Sequence, residues 1–162
     1  MISTEPPPMD EIPTLFLQNH NIFKDLIPQE LDIIKKFLRM TEADMGQVIF
    51  KQGSAAESMC LVLSGELEVI KSSKDGTQVK IATIGDGQSV GEMALVDGMV
   101  RSATVRAAML TTIVVLKRSE FDEIMKQYPR IAAKLMKGIA RHISINLRKT
   151  SDQLMSLMMP LT

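Results

Sequence analysis

The chain has 162 residues, a formal net charge of +0 and 45% hydrophobic residues. That is enough apolar material for one buried core, and the balanced charge leaves no overall basic footprint for nucleic acid. A single cysteine, Cys60, excludes an internal disulfide framework, and no apolar run is long enough to span a membrane.

Residues 1–13 read "MISTEPPPMDEIP". Pro6, Pro7 and Pro8 favour an extended chain, so this segment is expected to be a flexible lead-in. It has neither the basic start nor the apolar stretch of a signal peptide. With one cysteine that sits in the apolar run "MCLVL", a reducing, cytoplasmic compartment is expected, with Cys60 as a small core residue.

"PQELDIIKKFLRM" at 28–40 predicts a helix. Pro28 suits its first position, and Leu31, Ile34, Phe37 and Leu38 share a face. From Gly46 to Leu116 the period shortens to two. Met59, Leu61, Leu63, Leu67 and Val69 alternate with Ser58, Cys60, Ser64, Glu66 and Glu68, and Gly65 marks a bend or bulge. "KDGT" at 74–77 is a turn, "QVKIATI" and "ATVRAA" are further strands, and "TTIVVL" reads as a fully buried one. Many short strands between glycines predict a β sandwich or barrel.

After Leu116 the helical period returns. Phe121, Ile124, Met125 and Tyr128 share a face, with Ser119 as the expected N-cap. Pro129 opens a second helix that Pro160 should end. Met136, Ala140, Ile143, Leu147, Thr150, Leu154 and Leu157 repeat alternately by four and three, which is a heptad seam with one polar member. A helix of about 30 residues would be roughly 45 Å long, more than so small a barrel can cover. Its far half is expected to pair with a second copy of itself in a parallel dimer. The simpler alternative is that its single apolar stripe packs back on its own domain.

"VGEMALVDGMVRSATV" at 90–105 carries the most specific chemistry. Gly91 lets backbone approach a ligand closely. "EMAL" can form one helical turn whose first amides attract an anion. Arg101 can hold phosphate oxygens through two bonds. Glu92 repels phosphate but accepts well from a sugar hydroxyl. Together they suggest a nucleotide-like ligand. The competing reading is a plain ion pair between Glu92 and Arg101.

The same segment closely resembles the phosphate-binding cassette of cyclic nucleotide-binding domains, F-G-E-L/I-A-L followed by R-x-A-T-V, including the glutamate-to-arginine spacing. "IFKQGSAAESMCLVLSGELEVIK" resembles the first half of that domain, with Gly53 and Gly65 at its turn glycines. The resemblance extends over roughly Leu15 to Leu157. It implies an α+β fold: an eight-stranded antiparallel β jelly roll with N-terminal helices and a long C-terminal helix. It divides the chain into a lead-in (1–13), the nucleotide-binding roll with flanking helices (14–128) and the long helix (129–162).

It also implies roles. Glu92 would bind the ribose 2′-hydroxyl and Arg101 the cyclic phosphate. Gly91, Met93 and Ala94 would supply backbone contacts, and Ser102 a hydroxyl near the phosphate. Val90, where phenylalanine is usual, and Ala103 complete the cassette. "RS" at 101–102 resembles the catabolite activator branch, which uses cyclic AMP, although a hydroxyl residue there is also common in members selective for cyclic GMP. "KTSDQL" at 149–154 resembles the stretch where that branch reaches adenine across the dimer, which would give Thr150 and Ser151 a ligand role. The other reading of Thr150 is a polar seam residue that sets register.

The activator branch continues into a helix-turn-helix domain, whereas this chain stops at "MMPLT". The expectation is therefore a stand-alone regulatory sensor for cyclic AMP, with cyclic GMP the alternative. It would need no cofactor, bind no nucleic acid or membrane, and signal to a separate protein as ligand repacks the helices about a hinge at Tyr128 to Arg130. Two other classes compete with this reading. A cupin-type metalloenzyme needs clustered histidines, but His20 and His142 are far apart in sequence, outside the strands, and read as surface or packing residues. A domain that assembles without binding ligand would be expected to lack Glu92 or Arg101, and both are present.

Overall fold

The computed structural model describes residues 11–160. Residues 1–10 of the expected lead-in, and Leu161 and Thr162 at the other end, lie outside the described residues. Ile12 lies within the segment expected to be flexible, yet it packs into the core.

Two short helices come first, α1 (Thr14–Gln18) and α2 (Pro28–Lys35). Eight strands follow: β1 (Arg39–Ala43), β2 (Val48–Phe50), β3 (Ser58–Ser64), β4 (Leu67–Ser72), β5 (Gln78–Ile84), β6 (Ser89–Val90), β7 (Thr104–Ala107) and β8 (Thr111–Lys117). A 3₁₀ turn, Glu92–Leu95, lies between β6 and β7. Then come α3 (Arg118–Gln127) and α4 (Pro129–Met158). The strands form two antiparallel four-stranded sheets, β1-β8-β3-β6 and β2-β7-β4-β5.

The alternation seen at 58–69 is two strands in two different sheets. Gly65, at φ 113°, is the crossing point between them. A Cβ there would stand 2.5 Å from Thr111 Oγ1 and 2.8 Å from Thr111 Cα, so only glycine lets the chain pass. β3 is also buried on both faces. Cys60 and Val62 point into the core between the sheets, while Met59 and Leu61 point outward onto the helices. Cys60 is fully buried, and burial pushes its thiol up to about 12.

The expected helix at 28–40 ends at Lys35. Arg39 and Met40 instead pair with Val115 and Val114 of β8, whose open edge satisfies their backbone groups. α3 begins at Arg118, so Ser119 lies inside its first turn and does not cap it.

α3 and the first half of α4 cover the outer face of the first sheet together with α1 and α2. Phe121, Ile124, Leu135 and Ile139 join Leu17, Phe23, Leu31 and Ile34 in one core. Each such side chain contributes about 2 kcal/mol when fully buried. Two ion pairs stitch α4 to the N-terminal helical segment, Lys134 to Glu30 at 2.6 Å and Arg141 to Asp25 at 2.5 Å. Between them Gly138 rests directly on the backbone of Ile22.

The helix thus has two fates. Its first half packs back on the domain. Beyond Ile145 every described residue is exposed, including the seam members Leu147, Thr150, Leu154 and Leu157.

Candidate functional site

β6 ends at Val90, and Gly91 turns the chain in the left-handed region, φ 83°. That turn presents Glu92 and Ala94 inward from the 3₁₀ turn and leaves Met93 at the mouth, 58% exposed. The other end of the cassette is pinned by backbone pairing: Arg101 N–H donates to the Ser54 carbonyl, and Gly53 N–H donates to the Arg101 carbonyl, both at 2.8 Å. A cavity of about 460 Å³ lies between them. Val90, Gly91, Glu92, Met93, Ala94, Arg101, Ser102 and Ala103 all line it. Phe50, Val69, Ala82, Ile84 and Val105 supply apolar walls from the second sheet and its loops.

Glu92 and Arg101 do not pair with each other. Arg101 lies 3.5 Å over the Phe50 ring and donates through Nη2 to the Ser58 carbonyl at 2.5 Å. Its residue is only 8% exposed. Arg39, Arg106 and Arg141 each have a carboxylate partner, but among the described residues Arg101 has none. A buried guanidinium without a counter-charge is costly alone and is ready to receive an anion. Gly91 makes room for it, since a Cβ there would stand 2.7 Å from Arg101 Nη1 and 2.9 Å from Phe50 Cε2.

Glu92 is also 8% exposed. Its Oε1 meets His142 Nε2 at 3.2 Å and accepts from Asn146 Nδ2 at 3.5 Å, both from α4. Its Oε2 is buried and has no partner among the described residues. Burial pushes the carboxyl pKa up, but the hydrogen bond from His142, local backbone donation and the nearby imidazoles outweigh it. The net shift is downward, so Glu92 stays an acceptor.

His20 and His142, read from sequence as unrelated surface or packing residues, are brought together here, with ring centroids 5.1 Å apart. Ser89 on β6 stands between them, 3.1 Å from His20 Nε2 and 3.2 Å from His142 Nε2. No local pattern signals this, because the two rings lie 122 positions apart in the chain. Phe50 and Ser89 were missed for the same reason: each is ordinary strand material in its own segment.

The expected ligand role of Thr150 and Ser151 is across a dimer, toward a second copy. Within one chain both are exposed, neither lines the cavity, and Thr150 donates to the Asn146 carbonyl of its own helix. Asn146, one turn nearer the roll, lines the cavity instead.

The geometry is a small apolar chamber with a cation at one wall, a carboxylate at another and a helix as its lid. Comparison with known proteins agrees with it. The family model described as the cyclic nucleotide-binding domain matches residues 40–128. A lysophospholipase of Neurospora crassa is 31% identical over 82% of this chain, which spans 9% of that protein. The cyclic AMP receptor protein of Thermus thermophilus is 29% identical over 75% of this chain and 56% of its own length. The chain thus spans about a tenth and about half of those two relatives.

Among solved structures, a cyclic nucleotide-binding domain from Methylobacillus flagellatus superposes with a TM-score of 0.80 at 23% identity, covering 91% of this chain and 83% of the other. The catabolite activator protein of Thermus thermophilus superposes with a TM-score of 0.73 at 26% identity, covering 85% and 62%. These structural relatives are regulatory or ligand-binding domains rather than enzymes. No helix among the described residues is long and apolar enough to cross a membrane. The chain belongs to the cyclic nucleotide-binding domain family.

Proposed function

We propose that this protein is a sensor for cyclic AMP, in preference to cyclic GMP, and that it signals by repacking α4. One observation carries the reading: two buried charged groups with open valences, Arg101 without a carboxylate and Glu92 with a bare Oε2, face one cavity of nucleotide size. The cyclic phosphate binds Arg101, and a ribose hydroxyl donates to Glu92 Oε2. Asn146 meets the ligand from α4. The likeness to a cyclic AMP receptor protein supports adenine as the base.

A ligand moves a helix only by binding two arrangements unequally. Here α4 touches Glu92 through His142 and Asn146, so filling the cavity changes what α4 can hold. Tyr128, at φ −134° and ψ 65°, breaks the helix between α3 and α4 and is the natural hinge. The output passes to a separate protein partner.

Titration calorimetry with cyclic AMP and cyclic GMP tests the ligand. Cyclic AMP should bind at micromolar or tighter affinity, and at 100 times its Kd it should stabilise the fold by about 2.7 kcal/mol. Preferential binding of cyclic GMP would reassign the base. No heat and no stabilisation with either would leave an assembly domain without a ligand.

The far half of α4 supports a parallel dimer as the signalling unit, because Leu147, Leu154 and Leu157 are exposed at heptad spacing. Sedimentation should show a dimer for the wild type and a monomer for Leu154→Glu. A monomeric wild type at tens of micromolar would remove the dimer from this scheme.

A further inference from the structure

The site contains a titratable network that simple sugar and phosphate recognition does not require. Three groups converge on His142 Nε2: Glu92 Oε1 from the 3₁₀ turn, Ser89 Oγ from β6 and Asn146 Nδ2 from α4 itself, each at 3.2 Å. His20, from the segment between α1 and α2, faces the same ring across Ser89. Arg141, the neighbour on α4, is turned away and held by Asp25 and the Asn21 carbonyl. Arg101 lines the same cavity as Glu92.

These partners make incompatible demands on one nitrogen. Asn146 Nδ2 only donates, so it satisfies Nε2 when that atom carries a lone pair. Glu92 only accepts, so it satisfies Nε2 when that atom carries hydrogen. With a hydrogen on Nε2, Asn146 is left Glu92 Oε1, 3.5 Å away, as its acceptor. Whether Nε2 carries a hydrogen therefore decides which groups α4 holds.

His20 cannot take the proton in its place. Ile22 N–H donates to His20 Nδ1 at 3.1 Å, which places the ring hydrogen on Nε2, toward Ser89. Burial, with His142 adjacent, lowers its pKa to about 4. Imidazole is the side chain that ordinarily changes charge between about pH 5 and 8, and His142 is the ring that faces Glu92 directly.

We propose that ligand binding at this site is coupled to proton uptake on His142, so that affinity rises as pH falls. The inference rests on the cyclic nucleotide reading of the cavity. The phosphate charge is met by Arg101, while the sugar strips water from the Glu92–His142 pair, which carries a net negative charge without the extra proton and none with it. That loss of water favours an imidazolium beside the carboxylate. By linkage, protons then favour the ligand to the same extent that the ligand favours protons. The helix that closes the site thereby reads acidity together with nucleotide.

The sign is fixed by this argument. Uptake of one proton would tighten binding by at most about tenfold per pH unit. Partial uptake should make cyclic AMP bind about three- to tenfold tighter at pH 6 than at pH 8. Calorimetry in two buffers of different ionisation enthalpy reads the proton directly on the wild type. A difference in apparent enthalpy is expected near pH 7, and His142→Gln should abolish both that difference and the pH slope while still binding cyclic AMP. Equal slopes in wild type and variant would overturn the proposal.

Failure of the ligand reading is separable. If the wild type binds no nucleotide at any pH, the network is read in the free protein by the Glu92 side-chain carbon resonance. His142→Ala should move the titration of Glu92 to higher pH, since it removes the donor that holds the carboxylate down. An unmoved titration would overturn the network itself.

Discussion

Arg101→Ala should weaken cyclic AMP binding by at least about 100-fold, roughly 3 kcal/mol, while leaving the free protein folded. The magnitude follows from the burial of both partners. Losing one side of a desolvated, hydrogen-bonded charge pair costs about 2–5 kcal/mol, because the remaining charge is stranded. In the complex the stranded group would be the phosphate, enclosed by Phe50, Gly91 and Ala103. In the free protein the balance differs. Arg101 is 8% exposed, has no carboxylate partner among the described residues, and is held only by Phe50 and Ser58. Removing it relieves a buried charge, so the melting temperature without ligand should be unchanged or raised. Arg101→Lys should fall between, losing about tenfold, because a point charge replaces a planar fork. Calorimetry and thermal unfolding on the three proteins decide this. A variant that binds like wild type would place the phosphate elsewhere in the cavity.

Gly138→Ala should destabilise the fold by about 3 kcal/mol, which lowers the melting temperature by roughly 10 °C. Helix propensity alone predicts the opposite sign, since alanine is favoured over glycine by about 1 kcal/mol inside a helix. Packing wins. An added Cβ would stand 2.1 Å from the Ile22 carbonyl oxygen and 2.7 Å from its carbon. Those are backbone atoms, so no side-chain rotation relieves the clash. α4 would have to lift from the segment that carries His20, and Arg141 would lose its geometry on Asn21 and Asp25. Chemical denaturation measures the effect, and nucleotide affinity should fall with it because His142 lies one turn further along. A variant as stable as wild type would show that α4 does not seat on Ile22.

The chemistry of the cassette was legible because it is local. Gly91, Glu92 and Arg101 lie within eleven consecutive residues, and their glycine, carboxylate and guanidinium line one cavity. The strand periods were legible for the same reason, as was the stop at Pro160. Errors arose where a partner distant in sequence overrode local preference. Arg39 and Met40 left a helical pattern because β8 offered an unpaired edge. The bend expected at Gly65 is present and carries the chain from one sheet to the other, where Thr111 leaves no room for a side chain.

The sequence by itself determined which functional groups line the candidate site, since its guanidinium and carboxylate are carried on one short segment. Only the tertiary structure decided what stands behind those groups. Phe50, Ser58, Ser89, His20, His142 and Asn146 come from separate elements and are ordinary where they occur in the chain. Their proximity depends on two sheets closing face to face and on a glycine that lets α4 approach the backbone of Ile22. Burial then gives each contact its strength, because a hydrogen bond or a charge matters most where water has been removed.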